Sequence, residues 1–129
     1  MNIKKHFQFA AFSSVILLSL PVAAAADAEL EQGKTVYNGV GGCVACHGAL
    51  GKGDGAAAAA LTPKPNDFSK GVYKYDANGD GTTGTMEDIV GVITNGAAKF
   101  GGSPMMVGRA DLSEADRKAL AKYVLSLKE

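Results

Sequence analysis

Cys43-Val44-Ala45-Cys46-His47 is the stretch on which the reading of this 129-residue chain turns. Two thiols three residues apart, followed at once by an imidazole, make a C-x-x-C-H spacing. A thiol–disulfide centre also uses C-x-x-C, and an oxidising compartment permits it. No strand or βαβ pattern precedes Cys43, however, and His47 would then have no task. A closed zinc site needs four nitrogen or sulfur ligands, whereas the chain beyond residue 26 offers two cysteines and one histidine. A plain structural disulfide is weaker still.

Covalent haem attachment uses all three side chains. Thiols one helical turn apart can add to the two vinyl groups on one porphyrin edge, and the adjacent imidazole then reaches the iron. The expectation is one haem c, with thioethers on Cys43 and Cys46 and His47 on the metal. Iron in an electron carrier is usually six-coordinate, and a methionine opposite the histidine raises its reduction potential. Beyond residue 26 the methionines are Met86, Met105 and Met106. Met86 falls at helical spacing with Ile89 and Ile93 and reads as core. Met105 and Met106 lie in a Gly- and Pro-bearing loop, where backbone can approach a cofactor. Neighbours in an extended segment point opposite ways, so one of them ligates; Met106 is preferred and Met105 is the alternative. The second nitrogen of a ligating imidazole usually donates to a carbonyl or carboxylate, and Pro63 supplies a carbonyl in a stiff loop.

Upstream of the motif, residues 1–26 have the layout of a cleaved secretory signal: Lys4 and Lys5, an uncharged run from Phe7 to Leu20, Pro21, then Ala23 to Ala26. The apolar run is shorter than the roughly 20 residues that span a bilayer, so cleavage after Ala26 is expected, with no membrane insertion afterwards and a periplasmic or otherwise secreted product. The remaining domain, 27–129, has 11 basic and 13 acidic residues, a formal charge of −2. That balance gives no reason to expect nucleic-acid binding, which shows a basic patch or stripe.

Helical spacing marks 28–38, with Leu30, Gly33, Lys34 and Tyr37 on one side, then 85–94, and a last helix from Ser113 that turns Leu120, Tyr123, Val124 and Leu127 inward. Thr85 with Asp88, and Ser113 with Asp116, read as helix caps. Only the alanines at 56–60 suggest a turn within the first long loop, and strand signals are weak throughout. The fold class is therefore all-α, three to four helices joined by long loops. Such loops count against a small domain unless they wrap a central cofactor.

These residues resemble the class I, small monohaem c-type cytochromes of the bacterial periplasmic type. The resemblance rests on a first helix carrying Gly33 and Tyr37, then CVACHG, a Pro-bearing loop, a late Met loop, and a final helix with Leu120 and Tyr123. It implies the small cytochrome c fold wrapped around one covalent haem, with an exposed haem edge. It implies that the first and last helices cross at Gly33, Tyr37 and Tyr123, so that a residue larger than Ala at 33 hinders folding. It also implies a proline carbonyl on the haem histidine, fitting Pro63 before Pro65. The sequence departs from the family where Met106 precedes Val107 rather than proline.

A second motif, Asp76, Asn78, Asp80, Gly81 and Glu87, fits the short pattern of an EF-hand calcium loop. The side chains of Asp76, Asn78 and Asp80, the Thr82 carbonyl and a bidentate Glu87 would supply the oxygens, with a plain Asp-Gly turn as the alternative. The expected function is that of a soluble, monomeric electron carrier, not an enzyme, meeting redox protein partners transiently. The alternatives are an electron-transfer subunit of a periplasmic dehydrogenase or oxidase complex, and a haem enzyme or gas sensor with an open distal site. Lysines 34, 52, 64, 70, 74 and 99 could ring an exposed edge and steer an acidic partner.

Overall fold

The computed structural model describes residues 22–129; of the segment read as a secretion signal, residues 1–21 lie outside the described residues. Four helices carry the fold: α1 (Val22–Asn38), α2 (Val44–His47), α3 (Met86–Asn95) and α4 (Glu114–Ser126). Short 3₁₀ turns at Ala58–Ala60, Phe68–Lys70 and Ala97–Phe100 punctuate the loops. Among the described residues no strand forms beyond a single bridge between Gly96 and Val107, and the all-α expectation holds.

Helix α1 starts at Val22 rather than near Ala28 because Ala23 to Ala26 are the best helix formers; Lys122 Nζ also donates to the Ala26 carbonyl at 3.3 Å. Its buried face is Gly33, Val36 and Tyr37, with Leu30 half-buried. Lys34 is not part of that face. It lies about 100° round the helix from Gly33, on the side away from Val36, and its exposed ammonium faces Glu31 at 4.0 Å.

The first and last helices meet backbone to backbone. A Cβ placed on Gly33 would lie 2.0 Å from the Ala119 carbonyl oxygen and 2.8 Å from Tyr123 Cβ. One turn along, Tyr37 packs edge-on against Tyr123 with ring centroids 5.2 Å apart, a geometry aromatic pairs prefer. Polar pairs flank the crossing: Gln32 Nε2 donates to Asp116 at 2.8 Å, and Lys122 Nζ to Glu29 at 2.6 Å.

Helix α3 completes the core by setting Ile89 and Ile93 against Leu120 and Val124 of α4. Its start is fixed by a capping box, in which the Thr85 hydroxyl accepts from the Asp88 amide and the Asp88 carboxylate accepts from the Thr85 amide. Ser113 caps α4 by accepting from the Asp116 amide. Met86 packs against the core from its edge, as expected.

Since even a methyl group at position 33 meets immovable backbone, Gly33→Ala should cost about 3 kcal/mol, the upper part of the overpacking range. Urea unfolding checks this; an unchanged midpoint would show that the two helices can move apart at no cost.

Candidate functional site

Glycines deliver the chain from α1 into the cysteine motif. The Gly41 amide donates back to the Val36 carbonyl at 2.8 Å, and a Cβ at Gly41 would lie only 2.5 Å from that same oxygen. Cys43 then opens α2, with its carbonyl accepting from the His47 amide at 2.9 Å. So short a helix leaves most of its carbonyls without partners of its own. The next segment supplies them: Ala57, Gly55 and Gly53 amides donate to the Ala45, Cys46 and His47 carbonyls at 2.9, 3.1 and 2.9 Å. That close approach explains Gly55, because a Cβ there would stand 2.4 Å from the Ala45 oxygen; a Cβ at Gly53 would instead meet the Pro65 carbonyl at 2.6 Å, and one at Gly51 the Leu127 side chain at 2.7 Å. From the other side, the buried Tyr37 hydroxyl donates to the Gly48 carbonyl at 2.7 Å.

His47 is buried, and its Nδ1–H donates to the Asn66 carbonyl at 3.1 Å. This corrects the assignment of that role to Pro63. The later part of the loop is pinned to the histidine, because the Phe68 amide donates to the Gly51 carbonyl at 2.7 Å and Asn66 Nδ2 to the Val72 carbonyl at 2.9 Å. Pro63 and Pro65 are left along the cavity wall. Phe68 stacks on the imidazole with centroids 4.4 Å apart and planes 17° from parallel. Burial holds the His47 pKa below its ordinary value, against the opposing pull of the Asn66 carbonyl. The ring is therefore neutral at neutral pH, with a proton on Nδ1 and a lone pair on Nε2, the state in which imidazole binds metal.

Cys43, Cys46 and His47 form one wall of a cavity of about 320 Å³. The loop that leaves α3 lines the same cavity through Ser103, Met105 and Met106. Both methionines face it, but Met106 is the one whose backbone is held at both ends: its amide donates to the Ser103 carbonyl at 3.2 Å and its carbonyl accepts from the Ala97 amide at 3.1 Å. Met105 is 65% exposed. Between the walls the lining is chiefly apolar, with Leu61, Ile89, Val92, Ile93 and Leu120. A large flat apolar group with a metal at its centre fits this space and its donor set.

The thiols are unpaired, and Cys43 has its pKa pushed up by burial, with Arg109 pulling the other way. A redox-active thiol is favoured by the opposite shift, so the Cys43 environment does not support the thiol–disulfide reading. Phe68 and Arg109 escaped the sequence reading. Phe68 had a signal, as a lone large apolar residue between Pro65 and Gly71 that must be buried somewhere. Arg109, which lines the cavity and donates to the Gly41 carbonyl at 2.7 Å, had none.

The profile of the family described as Cytochrome c matches residues 30–128. The chain belongs to the cytochrome c family. Membership brings covalently bound haem c and haem-based electron transfer, and this cytochrome's helices and size suit the class I type. No curated protein matches it. Among solved structures, it is similar to a chain of the Kuenenia stuttgartiensis reducing HAO-like protein complex, at 29% identity and a TM-score of 0.62. The likeness covers 80% of this cytochrome and 45% of the other chain, so the cytochrome spans a little under half of that chain's length.

The calcium ligands are not gathered. Asp76 spends both carboxylate oxygens on the Gly79, Asp80 and Gly81 amides, and Asp80 accepts from Asn78 Nδ2 and from the Thr82 amide. Glu87 lies elsewhere, beside a groove with Glu29, Val90 and Lys118. Among the described residues no three acidic, histidine or cysteine side chains are placed to hold a metal ion. The acid that does face this loop is the fully buried Asp88, which accepts from the Ala77 amide at 2.7 Å as well as from Thr85. One residue's offset decides this: position 88 of α3 points at the loop and position 87 away from it. Of the six lysines read as a ring, Lys99 donates to Asn95 Oδ1 at 2.9 Å. Lys34, Lys52 and Lys70 face Glu31, Glu129 and Asp67, while Lys64 and Lys74 line the cavity.

Because the loop closes on its own amides, calcium and a chelator should give the same melting temperature. A calcium-dependent rise would restore the EF-hand reading. Asp88 should matter instead. Burial alone would raise its pKa, but hydrogen bonds from Thr85, Ala77 and Asn78 outweigh burial and hold it below the usual carboxylate range. Its stabilisation is therefore complete above the unfolded aspartate value near pH ~4 and is lost as pH falls through the lower native value. Asp88→Ala should cost about 2 kcal/mol at neutral pH, the scale of an orphaned buried donor, and should flatten the acid side of a stability–pH curve measured by urea unfolding.

Proposed function

We propose that this cytochrome is a soluble, monomeric periplasmic electron carrier with one haem c, released by cleavage after Ala26, and that it is not an enzyme. The observation that carries the reading is a shared cavity: the CVACH turn, with a neutral, oriented imidazole, and a methionine loop both line it. Cys43 and Cys46 would hold the haem by thioether bonds, and His47 Nε2 and Met106 Sδ would hold its iron. The haem, when bound, supplies an iron that changes oxidation state by one electron. The chain's own part is to keep both ligands fixed and water out, so that little reorganises between the two states. Phe68 keeps the imidazole from turning and the Asn66 carbonyl keeps its proton on Nδ1. Partners are redox proteins met transiently.

A second reading, an electron-transfer subunit of a larger complex, is favoured by the likeness to a chain of a reducing HAO-like complex. Purification from a periplasmic extract separates the two. A lone chain whose intact mass equals residues 27–129 plus one haem supports the carrier, and a stoichiometric partner supports the subunit.

The ligand assignment has its own test. Met106→Ala should abolish the sulfur-to-iron charge-transfer band of the oxidised protein and lower its reduction potential by on the order of 0.1 V, within the roughly 0.8 V that axial ligands span. Met105→Ala should leave both unchanged. The reverse pattern would move the ligand to Met105, and an unchanged band in both variants would remove methionine from the iron.

A further inference from the structure

We propose that Arg109 is a positioning residue: it ties the methionine loop to the segment entering the cysteine motif and so protects the sixth iron ligand from displacement. This rests on the His47/Met106 reading above. Three connections define the residue. Its backbone amide donates to the Ile93 carbonyl at 2.7 Å, fixing it to the last turn of α3. Its Nε and Nη2 fork both oxygens of Asp111, each at 2.8 Å, which sets the direction of the guanidinium plane. Its Nη1 then reaches the Gly41 carbonyl at 2.7 Å, across 68 positions of sequence.

Gly41 is a firm anchor. Its amide is bonded to Val36, and it stands two residues before Cys43 with no room for a side chain. The other hydrogen bonds of the methionine loop run within itself, back to α3 or on to α4: Met106 to Ala97 and Ser103, Gly102 to Ala97, and the Ala110 and Leu112 carbonyls to Arg117 Nη1. Among the described residues, the Arg109–Gly41 bond is the hydrogen bond that joins this loop to the attachment wall of the cavity.

The chemistry gives that bond a purpose. A thioether is a weak, neutral ligand, so its hold on a metal depends on the backbone that presents it. Without the brace, the loop follows the end of α3 independently of the wall that carries His47, and a competing ligand can enter between them. Lysine cannot substitute fully, because an ammonium is a point charge without the fork that aims Arg109.

The test uses the ferric holoprotein titrated with imidazole and followed by its absorption spectrum. Arg109→Gln should bind imidazole at least tenfold more tightly than wild type and show a weakened sulfur-to-iron band. Arg109→Lys and Asp111→Asn, which lose the fork, should fall between, and they carry the test if the glutamine variant does not fold. Ser113→Ala, which removes only the cap of α4, should leave imidazole affinity unchanged. Arginine variants within twofold of wild type, or an equal gain in Ser113→Ala, would overturn the brace. A wild type with no sulfur band would instead overturn the axial-ligand reading itself.

Discussion

The contact between Gly33 and the Ala119 carbonyl constrains everything else in this molecule. It brings the first and last helices to a separation that no side chain at position 33 would allow, and it fixes their rotation as well as their distance. Tyr37 is one turn further along α1, wedged against Tyr123, and its hydroxyl ends on the Gly48 carbonyl just past the histidine. The helix crossing is thereby transmitted to the attachment turn through a single rigid ring. Overpacked or slipped, the crossing would displace His47 along with the helices.

The two walls of the cavity are built differently. The attachment wall is short, and its carbonyls are occupied by amides from a glycine-rich segment lying against it. Its side chains are set by Phe68 stacking and by the Asn66 carbonyl. The methionine wall is a longer excursion closed on itself by a few bonds, including the bridge between Gly96 and Val107. One wall holds its ligand by density of contact. The other relies on where the loop is fastened.

Much of this was legible in the sequence, and what was not has a physical reason. Helix caps at Thr85 and Ser113 and the C-x-x-C-H turn are local patterns or fixed spacings, so they could be read directly, whereas the Gly33 crossing came only through the family resemblance. Lys34 was misplaced because helical spacing marks a stripe without saying which edge of it stays wet. The Asn66 carbonyl was invisible because any residue has a carbonyl, and only the three-dimensional course of the loop selects one. The calcium pattern records side-chain types and offsets. It does not record that Asp76 and Asp80 accept from the loop's own amides, or that Asp88, one position from Glu87, faces the loop.

The segment from Gly53 to Ala57 has no regular secondary structure, yet its amides are bonded one after another to the backbone of α2. The two pieces therefore behave as one cooperative unit in local opening: neither can fray without exposing the buried polar groups of the other. In slow amide exchange this irregular strip should look like a helix.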